Sequence, residues 1–168
     1  LTDRQVRADI ELLHAGQVWV SIKGWTDHRF DTTERSWPVI RYPETQLMGE
    51  PTDAGYVIVD QPFKTPASQD YFHRRYLSES ERAAYSTLVD QRAAQWLAGR
   101  IAAKDAVRHW MWSSGATPIF PIEIQIRHTA AGAPVVSLDG DRDLRISIAH
   151  TDDIAVAAVA EGQTIGID

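Results

Sequence analysis

Apolar and polar residues alternate through residues 4–30, which is the pattern of a two-stranded β-hairpin. From Val6 to Leu12 every second residue is apolar, so one face of the first strand is hydrophobic. The sequence "HAGQ" supplies the turn because Gly16 tolerates a positive φ, and Gly24 marks an expected bulge in the return strand. Since two strands cannot bury a core by themselves, we expect this hairpin to belong to a larger sheet.

Prolines punctuate the next segment, residues 36–76, which contains five of them between Pro38 and Pro66. Because proline interrupts helices, this segment is predicted to be an extended, Pro-rich linker. A short strand is expected inside it, in "AGYVIVDQPF".

A helical period replaces the alternation in residues 78–111. Ser78 and Glu81 have the spacing of a capping box, which predicts a helix start, and Gly115 lies just beyond the expected end. The pattern predicts one long helix or two helices with a break near Asp90.

Four cations of this segment are spaced by multiples of four residues, namely Arg92, Arg100, Lys104 and Arg108. Residues with this spacing share one side of a helix. Two interpretations stay open: a solvated face, the commoner meaning of such a stripe, or a surface that binds phosphate groups.

Strand patterns return in residues 122–168, in the order "IEIQIRH", "APVVSL", "LRISIAH", "IAVAAVA" and "TIGID". Short polar turns separate them, which predicts an antiparallel sheet. The predicted fold class is therefore α+β, with a hairpin first and then a helical segment packed on an antiparallel sheet.

The composition of the chain excludes several classes of partner and site. The chain has 168 residues, 43% of them hydrophobic, and a net charge of −6, which disfavours partners such as nucleic acid or an anionic membrane. It has no cysteine, which excludes disulfides and thiolate metal sites, and no apolar run long enough to span a bilayer. The first residue is leucine, and we expect both ends to lie inside a longer protein.

Two polar residues stand at the ends of predicted strands, His150 and Asp168. Together with the helix cations, they suit a phosphorylated ligand held with a divalent metal. Each residue also has an ordinary structural explanation, since a strand-end histidine is commonly structural and a strand-end aspartate commonly starts a turn.

The order of the motifs adds to these weak signals. The series "LSESERAAY", "LAGRIAAKDAVR", "AAGAPVV", "ISIAHT" and "IGID" resembles the first half of surfactin-type 4′-phosphopantetheinyl transferases over residues 77–168. The resemblance implies transfer of 4′-phosphopantetheine from coenzyme A to a serine of an acyl carrier protein. It also implies a pseudo-dimer of two similar α/β halves, with coenzyme A and Mg²⁺ between them, and a cytoplasmic location.

Site residues follow from this resemblance. Arg82 matches the arginine at the coenzyme A 3′-phosphate, His150 matches a histidine on the coenzyme A phosphates with Thr151 beside it, and Asp168 matches the first metal-binding carboxylate. Arg100, in "AGR", is a further coenzyme A contact.

The chain departs from the family pattern in several places. Ala133 replaces a cation in the turn "GAP", for which Arg127 or His128 could compensate, and Ala149 replaces a serine. The segment "AAKDAVR" at 102–108 is superficially similar to the family's later "KEA" helix, but it precedes "GID" and is assigned to the first-half helix. The second half, with the catalytic base, is missing, so no catalytic residue is assigned and the chain alone is expected to be inactive.

The front segment, residues 1–35, looks like the closing strands of a hot-dog-fold dehydratase domain of a polyketide synthase. A dehydratase followed by this transferase resembles the C-terminal end of enediyne-type iterative polyketide synthases. Two alternatives stay open: a non-catalytic module that docks a carrier protein, and a dehydratase whose C-terminal extension merely resembles a transferase.

Overall fold

The computed structural model describes residues 5–28, 32–60, 62–137 and 144–167. The chain divides into two compact units, Leu1–Asp31 and Thr32–Asp168. No helix of the described residues combines the length and the apolar character needed to cross a lipid bilayer.

The first unit is the predicted antiparallel hairpin, formed by β1 (Gln5–His14) and β2 (Gln17–His28). Ala15 and Gly16 make the turn with φ values of 50° and 78°, a left-handed pair that suits the twist of a tight hairpin. The strand register shifts beside Gly24, whose φ is 67°, so the predicted bulge is confirmed.

The second unit contains a sheet of six antiparallel strands, ordered β3-β4-β8-β7-β6-β5. The strands are β3 (Glu50–Pro51), β4 (Tyr56–Asp60), β5 (Gln125–His128), β6 (Pro134–Ser137), β7 (Leu144–His150) and β8 (Ile154–Glu161). The predicted antiparallel sheet is confirmed. The strand expected in "TIGID" is wrong for residues 164–167, which form no strand, and Asp168 lies outside the described residues.

Four α-helices accompany this sheet in the described residues: α1 (Ser36–Arg41), α2 (Pro66–Tyr76), α3 (Glu79–Tyr85) and α4 (Asp90–Ser113). The capping box of Ser78 and Glu81 begins α3, as its spacing predicts. Of the two helical arrangements left open by the sequence, the structure has two helices, separated near Asp90.

Helix α4 packs on one side of the sheet and buries it. Because side chains alternate along a strand, the register assigns every strand residue to one of two sides. The helix side consists of Val57, Val59, Ile146, Ile148, Ala155 and Ala157. The outer side includes Tyr56, Ile58, Asp60, Arg145, Ser147, Ala149, Ile154, Val156, Ala158 and Ala160.

The prediction of a Pro-rich linker over residues 36–76 is wrong. This segment contains α1, α2, β3 and β4, and its Val39 and Phe72 are buried in the core. Two of its prolines occupy positions that tolerate them: Pro66 opens α2, where its missing N–H is not needed, and Pro51 lies on the short edge strand β3. The folded unit therefore starts at Thr32, well before residue 77.

Candidate functional site

His150, the last residue of β7, lies against helix α4 at Gly99. A Cβ atom added to Gly99 would stand 3.4 Å from Ile148 Cγ2 and 3.9 Å from His150 Cδ2. The side chain of His150 is exposed, as is Thr151, whose N–H donates to the carbonyl of Ile154 at 2.8 Å and closes the turn to β8. The predicted strand-end position of His150 is confirmed, and it brings the imidazole to the residue that precedes Arg100.

Arg100 is nearly enclosed, with 5% of its surface exposed. Its Nη2 lies 3.3 Å from Nδ1 of His128, and its guanidinium stacks 4.5 Å above the ring of Trp96. The Nε atom lies 3.9 Å from Oε1 of Glu81 and has no hydrogen-bond partner. Burial lowers the pKa of Arg100 from its ordinary value, with the Glu81 carboxylate acting in the opposite direction.

His128, rather than Arg127, is the β5 residue that meets Arg100. Alternation along β5 puts His128 on the helix side together with the buried Ile126, whereas Arg127 faces the outer side and donates to Oε1 of Gln125 at 2.9 Å. Burial and the charge of Arg100 both lower the pKa of His128, which favours a neutral imidazole that accepts through Nδ1. We call Arg100, His128 and His150 the α4 cluster.

Among the described residues, Arg82 and Arg127 are not bonded to this cluster. Arg82 is half-buried on α3, and among the described residues no hydrogen bond or ion pair joins it to Arg100 or His150. The predicted metal ligand Asp168 lies outside the described residues. His150 thus lies against the residue before Arg100, whereas Arg82 and Arg127 make no hydrogen bond or ion pair with Arg100 or His150 among the described residues.

The basic stripe of α4 is mostly internal, so both interpretations left open by the sequence fail for Lys104 and Arg108. Each of these side chains is completely buried. Lys104 Nζ donates to Oε2 of Glu81 at 2.6 Å and to the carbonyl of Tyr76. Lys104 and Arg108 therefore stabilise the fold, whereas Arg92 is exposed.

Glu81 is the centre of this buried network, a role that its capping position does not predict. Its Oε2 accepts from the N–H of Ser78 at 2.9 Å as well as from Lys104, and its Oε1 accepts from the N–H of Ile126 at 3.2 Å. One carboxylate thus ties α3, α4 and β5 together close to Arg100.

Asp105 is a second buried carboxylate, with no exposed surface. Its Oδ2 accepts from the N–H groups of Met48 and Gly49 at 2.7 and 2.9 Å. Its Oδ1 accepts from Nη1 of Arg108 at 3.1 Å and from the hydroxyl of Tyr76 at 3.2 Å. Burial raises the pKa of Asp105, while these donors and the Arg108 charge oppose the rise.

Burial lowers the pKa of Lys104 from 10.5 to about 8, although Glu81 raises it. Between these two values the unfolded chain binds more protons at Lys104 than the folded chain does, so stability should increase with pH. In the parent, the free energy of unfolding should rise by up to ~1.4 kcal/mol per pH unit in this range. We expect the Lys104→Met variant to lack this rise.

The measurement is urea unfolding of parent and variant at pH 7.5, 8.5 and 9.5. Measurements above about pH 10 are avoided, because there Tyr76 makes stability fall with pH. Burial raises the pKa of Tyr76 in the folded chain, so this tyrosine ionises first in the unfolded chain. Equal pH slopes in the two proteins would contradict the assignment.

A cavity of about 460 Å³ opens beside the α4 cluster, in the size range of sites for small molecules. Its wall includes Ala98, next to Gly99, and Asp152, next to Thr151. Asp152 is held by Nε2 of Gln91 and of Gln95 at 3.0 and 3.1 Å. The rest of the wall comes from the segment before α2, the start of α2, helix α4 and the turn before β8, with Pro62, Phe63, Lys64, Thr65, Pro66, Gln69, Ala94 and Asp153.

A magnesium ion is implied by the resemblance, but the described residues do not supply a set of ligands for it. Those residues contain no group of three or more His, Asp or Glu side chains that could hold a metal. The buried carboxylate Asp105 already accepts from two backbone N–H groups and a guanidinium, so it does not offer free lone pairs to an ion.

The fold has relatives of known structure. A holo-(acyl-carrier-protein) synthase from Bacillus anthracis, in complex with CoA (3′,5′-ADP), superimposes with a TM-score of 0.55 and 27% identity, over 64% of this chain and 92% of that chain. A holo-ACP synthase from Plasmodium yoelii has a TM-score of 0.51 at 22% identity and shares the fold, over 66% and 94% of the two chains. The α+β fold is therefore that of a phosphopantetheinyl transferase-like protein.

Sequence similarity narrows the assignment from a shared fold to one family. Holo-[acyl-carrier-protein] synthases of Bacillus cereus strain AH187 and Exiguobacterium sibiricum are 31% and 29% identical over 88 and 103 residues. These alignments span 52% and 61% of this chain and 74% and 80% of those proteins. No family profile matches the chain. The chain belongs to the holo-[acyl-carrier-protein] synthase family.

Proposed function

We propose that this chain is the coenzyme A-binding half of a 4′-phosphopantetheinyl transferase that modifies a serine of an acyl carrier protein. The observation that carries the proposal is the α4 cluster beside an open cavity, in a member of the holo-[acyl-carrier-protein] synthase family. The Bacillus anthracis relative, solved with CoA (3′,5′-ADP), supports coenzyme A as the ligand.

The transfer breaks one P–O bond and forms another. The serine oxygen attacks the phosphorus that carries the pantetheine, the bond to 3′,5′-ADP breaks, and the serine proton passes to a base. Negative charge develops on the leaving nucleotide, so donors aimed at its phosphates stabilise the transition state. His150 is exposed, two residues before Asp152 of the cavity wall, and can donate to a phosphate, while the buried Arg100, next to Gly99, adds positive charge.

Arg82 and Thr151 complete the proposed coenzyme A contacts. We assign the 3′-phosphate to Arg82, which is half-buried on α3, and a phosphate oxygen to the exposed hydroxyl of Thr151. We propose that His128, and not Arg127, is the β5 residue of this site, because His128 contacts Arg100 whereas Arg127 faces the outer side.

The second half of the domain is proposed to supply the catalytic base and most metal ligands. Asp168 would be one ligand of Mg²⁺, an ion that prefers several oxygen ligands in octahedral geometry, and the described residues contain no group of three or more His, Asp or Glu side chains that could hold it. The chain alone is accordingly proposed to be inactive.

We also propose that the protein is part of a polyketide synthase. Residues 1–35 would be the end of a dehydratase-like hot-dog domain, which agrees with the division of the chain at residue 31. The transferase half would then start at Thr32 rather than at residue 77, because β3 and β4 belong to its sheet.

A non-catalytic module that docks a carrier protein is the second candidate. Ala133, exposed in the turn before β6, stands where the family has a cation, and Arg100 already contacts His128, Trp96 and Glu81 inside the protein. In such a module the α4 cluster would be structural, and coenzyme A would not bind there.

Coenzyme A binding separates the two candidates. We expect His150→Ala and Arg82→Ala to weaken binding of coenzyme A to this chain by roughly tenfold to a hundredfold, since a charge-assisted hydrogen bond contributes about 1.5–3 kcal/mol. Arg74→Ala is the matched control, because Arg74 is an exposed cation of α2 paired with Asp70 at 3.0 Å. Isothermal titration calorimetry measures all four proteins.

Binding of coenzyme A that is the same in all four proteins would exclude the assigned residues and favour the docking module. The half-domain proposal has its own test, in which the chain is incubated with coenzyme A, Mg²⁺ and an apo carrier protein. Formation of holo carrier protein by the chain alone would contradict the need for a second half.

A further inference from the structure

The turn between β7 and β8 is tied to helix α4 by the side chain of Asp152. Its Oδ1 accepts from Nε2 of Gln91 at 3.0 Å and from Nε2 of Gln95 at 3.1 Å. The turn itself is closed by the hydrogen bond from the N–H of Thr151 to the carbonyl of Ile154, which is 2.8 Å long. One carboxylate oxygen therefore joins this turn to the beginning of a helix that lies 57 to 61 residues earlier in the sequence.

The two glutamines belong to a line of α4 residues that faces this turn. Gln91, Gln95 and Gly99 are four residues apart, so they lie on the same side of the helix. Gly99 marks a second approach of this side to the same part of the chain, because a Cβ atom there would stand 3.9 Å from Cδ2 of His150. The chain is thus held against α4 both before and after Thr151 by residues on one side of the helix.

The partners of Asp152 are uncharged, although this exposed carboxylate directly follows Thr151 of the proposed phosphate site. Amide N–H donors fix the direction of a carboxylate without neutralising its charge. A negative charge at this position repels phosphate, so electrostatics alone would disfavour an aspartate here. The pair of amides indicates that the geometry of Asp152 matters more than its charge.

We propose that Asp152 is a positioning residue, which sets the turn so that His150 and Thr151 face one phosphate group. Its two amide donors on α4 supply the restraint. This inference rests on the coenzyme A site proposed above, and it assigns no contact between Asp152 and the ligand. Without the two hydrogen bonds the turn samples several conformations in the free protein, and coenzyme A binds more weakly because only one of them fits.

Hydrogen exchange of the Thr151 amide, followed by NMR spectroscopy of the full chain, tests the restraint without any ligand. Asp152→Ala should accelerate this exchange at least about fivefold, because opening of the turn releases the N–H from the carbonyl of Ile154. The double variant Gln91→Ala, Gln95→Ala should have the same effect, although it leaves the sequence of the turn intact. Exchange at the parental rate in both variants would overturn the proposal.

Isothermal titration calorimetry with coenzyme A measures the consequence for binding. Asp152→Ala should weaken binding roughly fivefold to tenfold, the loss expected when one or two hydrogen bonds no longer restrain the turn. Asp152→Ala added to the glutamine double variant should weaken binding no further, since the three side chains act as one unit. Additive losses would contradict a shared restraint.

Asp152→Asn separates positioning from charge. Both Asn and Ala remove the carboxylate charge, but only Ala removes the side-chain oxygen that accepts from the glutamines, so Asp152→Asn should retain most of the parental affinity. Equal binding by the Asn and Ala variants would overturn the positioning role. Asp53→Ala is the matched control, because Asp53 is exposed in the turn between β3 and β4 of the same sheet and should leave both measurements at the parental values.

The outcome for the parent chain distinguishes this inference from the proposed function. A parent that does not bind coenzyme A would overturn both. A parent that binds coenzyme A, together with Asp152→Ala and glutamine variants that bind it equally well, would overturn the positioning role alone. Circular dichroism and thermal melting verify that every variant is folded.

Discussion

Replacing Asp105 by alanine should reduce the free energy of unfolding by about 3–5 kcal/mol, the cost typical of breaking a buried ion pair by removing one partner. The substitution leaves four buried donors without their acceptor, namely the N–H groups of Met48 and Gly49, the hydroxyl of Tyr76 and Nη1 of Arg108. A buried donor without a partner is unfavourable because it has lost its hydrogen bond to water and gains none in the protein.

Asp70→Ala is the matched control for this substitution. Asp70 also pairs with an arginine on its own helix, with its Oδ2 at 3.0 Å from Nε of Arg74, but that pair is exposed to solvent. We expect a loss below ~1 kcal/mol for the control. Urea unfolding monitored by circular dichroism measures both, and an Asp105→Ala protein as stable as the control would refute the role of Asp105.

Glu81→Ala should have an effect of similar size, again ~3–5 kcal/mol, because it leaves the ammonium of Lys104 buried and unpaired. It also removes the acceptor of the Ser78 and Ile126 N–H groups. Glu79→Ala, on the exposed first residue of α3, is the control and should cost less than ~1 kcal/mol.

The double variant Glu81→Met, Lys104→Met separates the ion pair from the backbone contacts. Apolar side chains of similar length can replace a buried pair at little net cost, so we expect the double variant to recover a large part of the loss caused by Glu81→Ala. Unfolding in urea compares the three proteins. A double variant less stable than Glu81→Ala would mean that the carboxylate acts mainly through the backbone of Ser78 and Ile126.

Local signals predicted the start of α3 but not the network that follows from it. Ser78 and Glu81 are three residues apart, so their capping pattern is readable in the sequence. The other partners of Glu81, Lys104 and Ile126, are 23 and 45 residues away. Contacts of that range depend on how the elements pack, and no periodicity encodes them.

The basic stripe shows a limit of helical periodicity. The spacing correctly puts Arg100, Lys104 and Arg108 on one side of α4, yet it does not reveal whether that side meets water or protein. Here Glu81 and Asp105 provide the compensating charges, and the side is buried.

Proline density misled the interpretation of residues 36–76 for a different reason. Proline excludes helix interiors and inner strands, but it is compatible with the first position of a helix and with a sheet edge. Pro66 and Pro51 occupy those positions. In contrast, alternation along β5 already separates His128 from Arg127, once the buried Ile126 identifies the helix side.

The inner position of β4 decides where this protein can be shortened. β4 pairs with β8 along its whole length, from Tyr56 to Asp60, so β8 has a hydrogen-bonded neighbour on each flank. A chain beginning after Asp60 would leave the backbone donors and acceptors of β8 open along one flank, as a template for pairing with other chains. Aggregation, rather than a smaller functional domain, is the expected product of such a truncation.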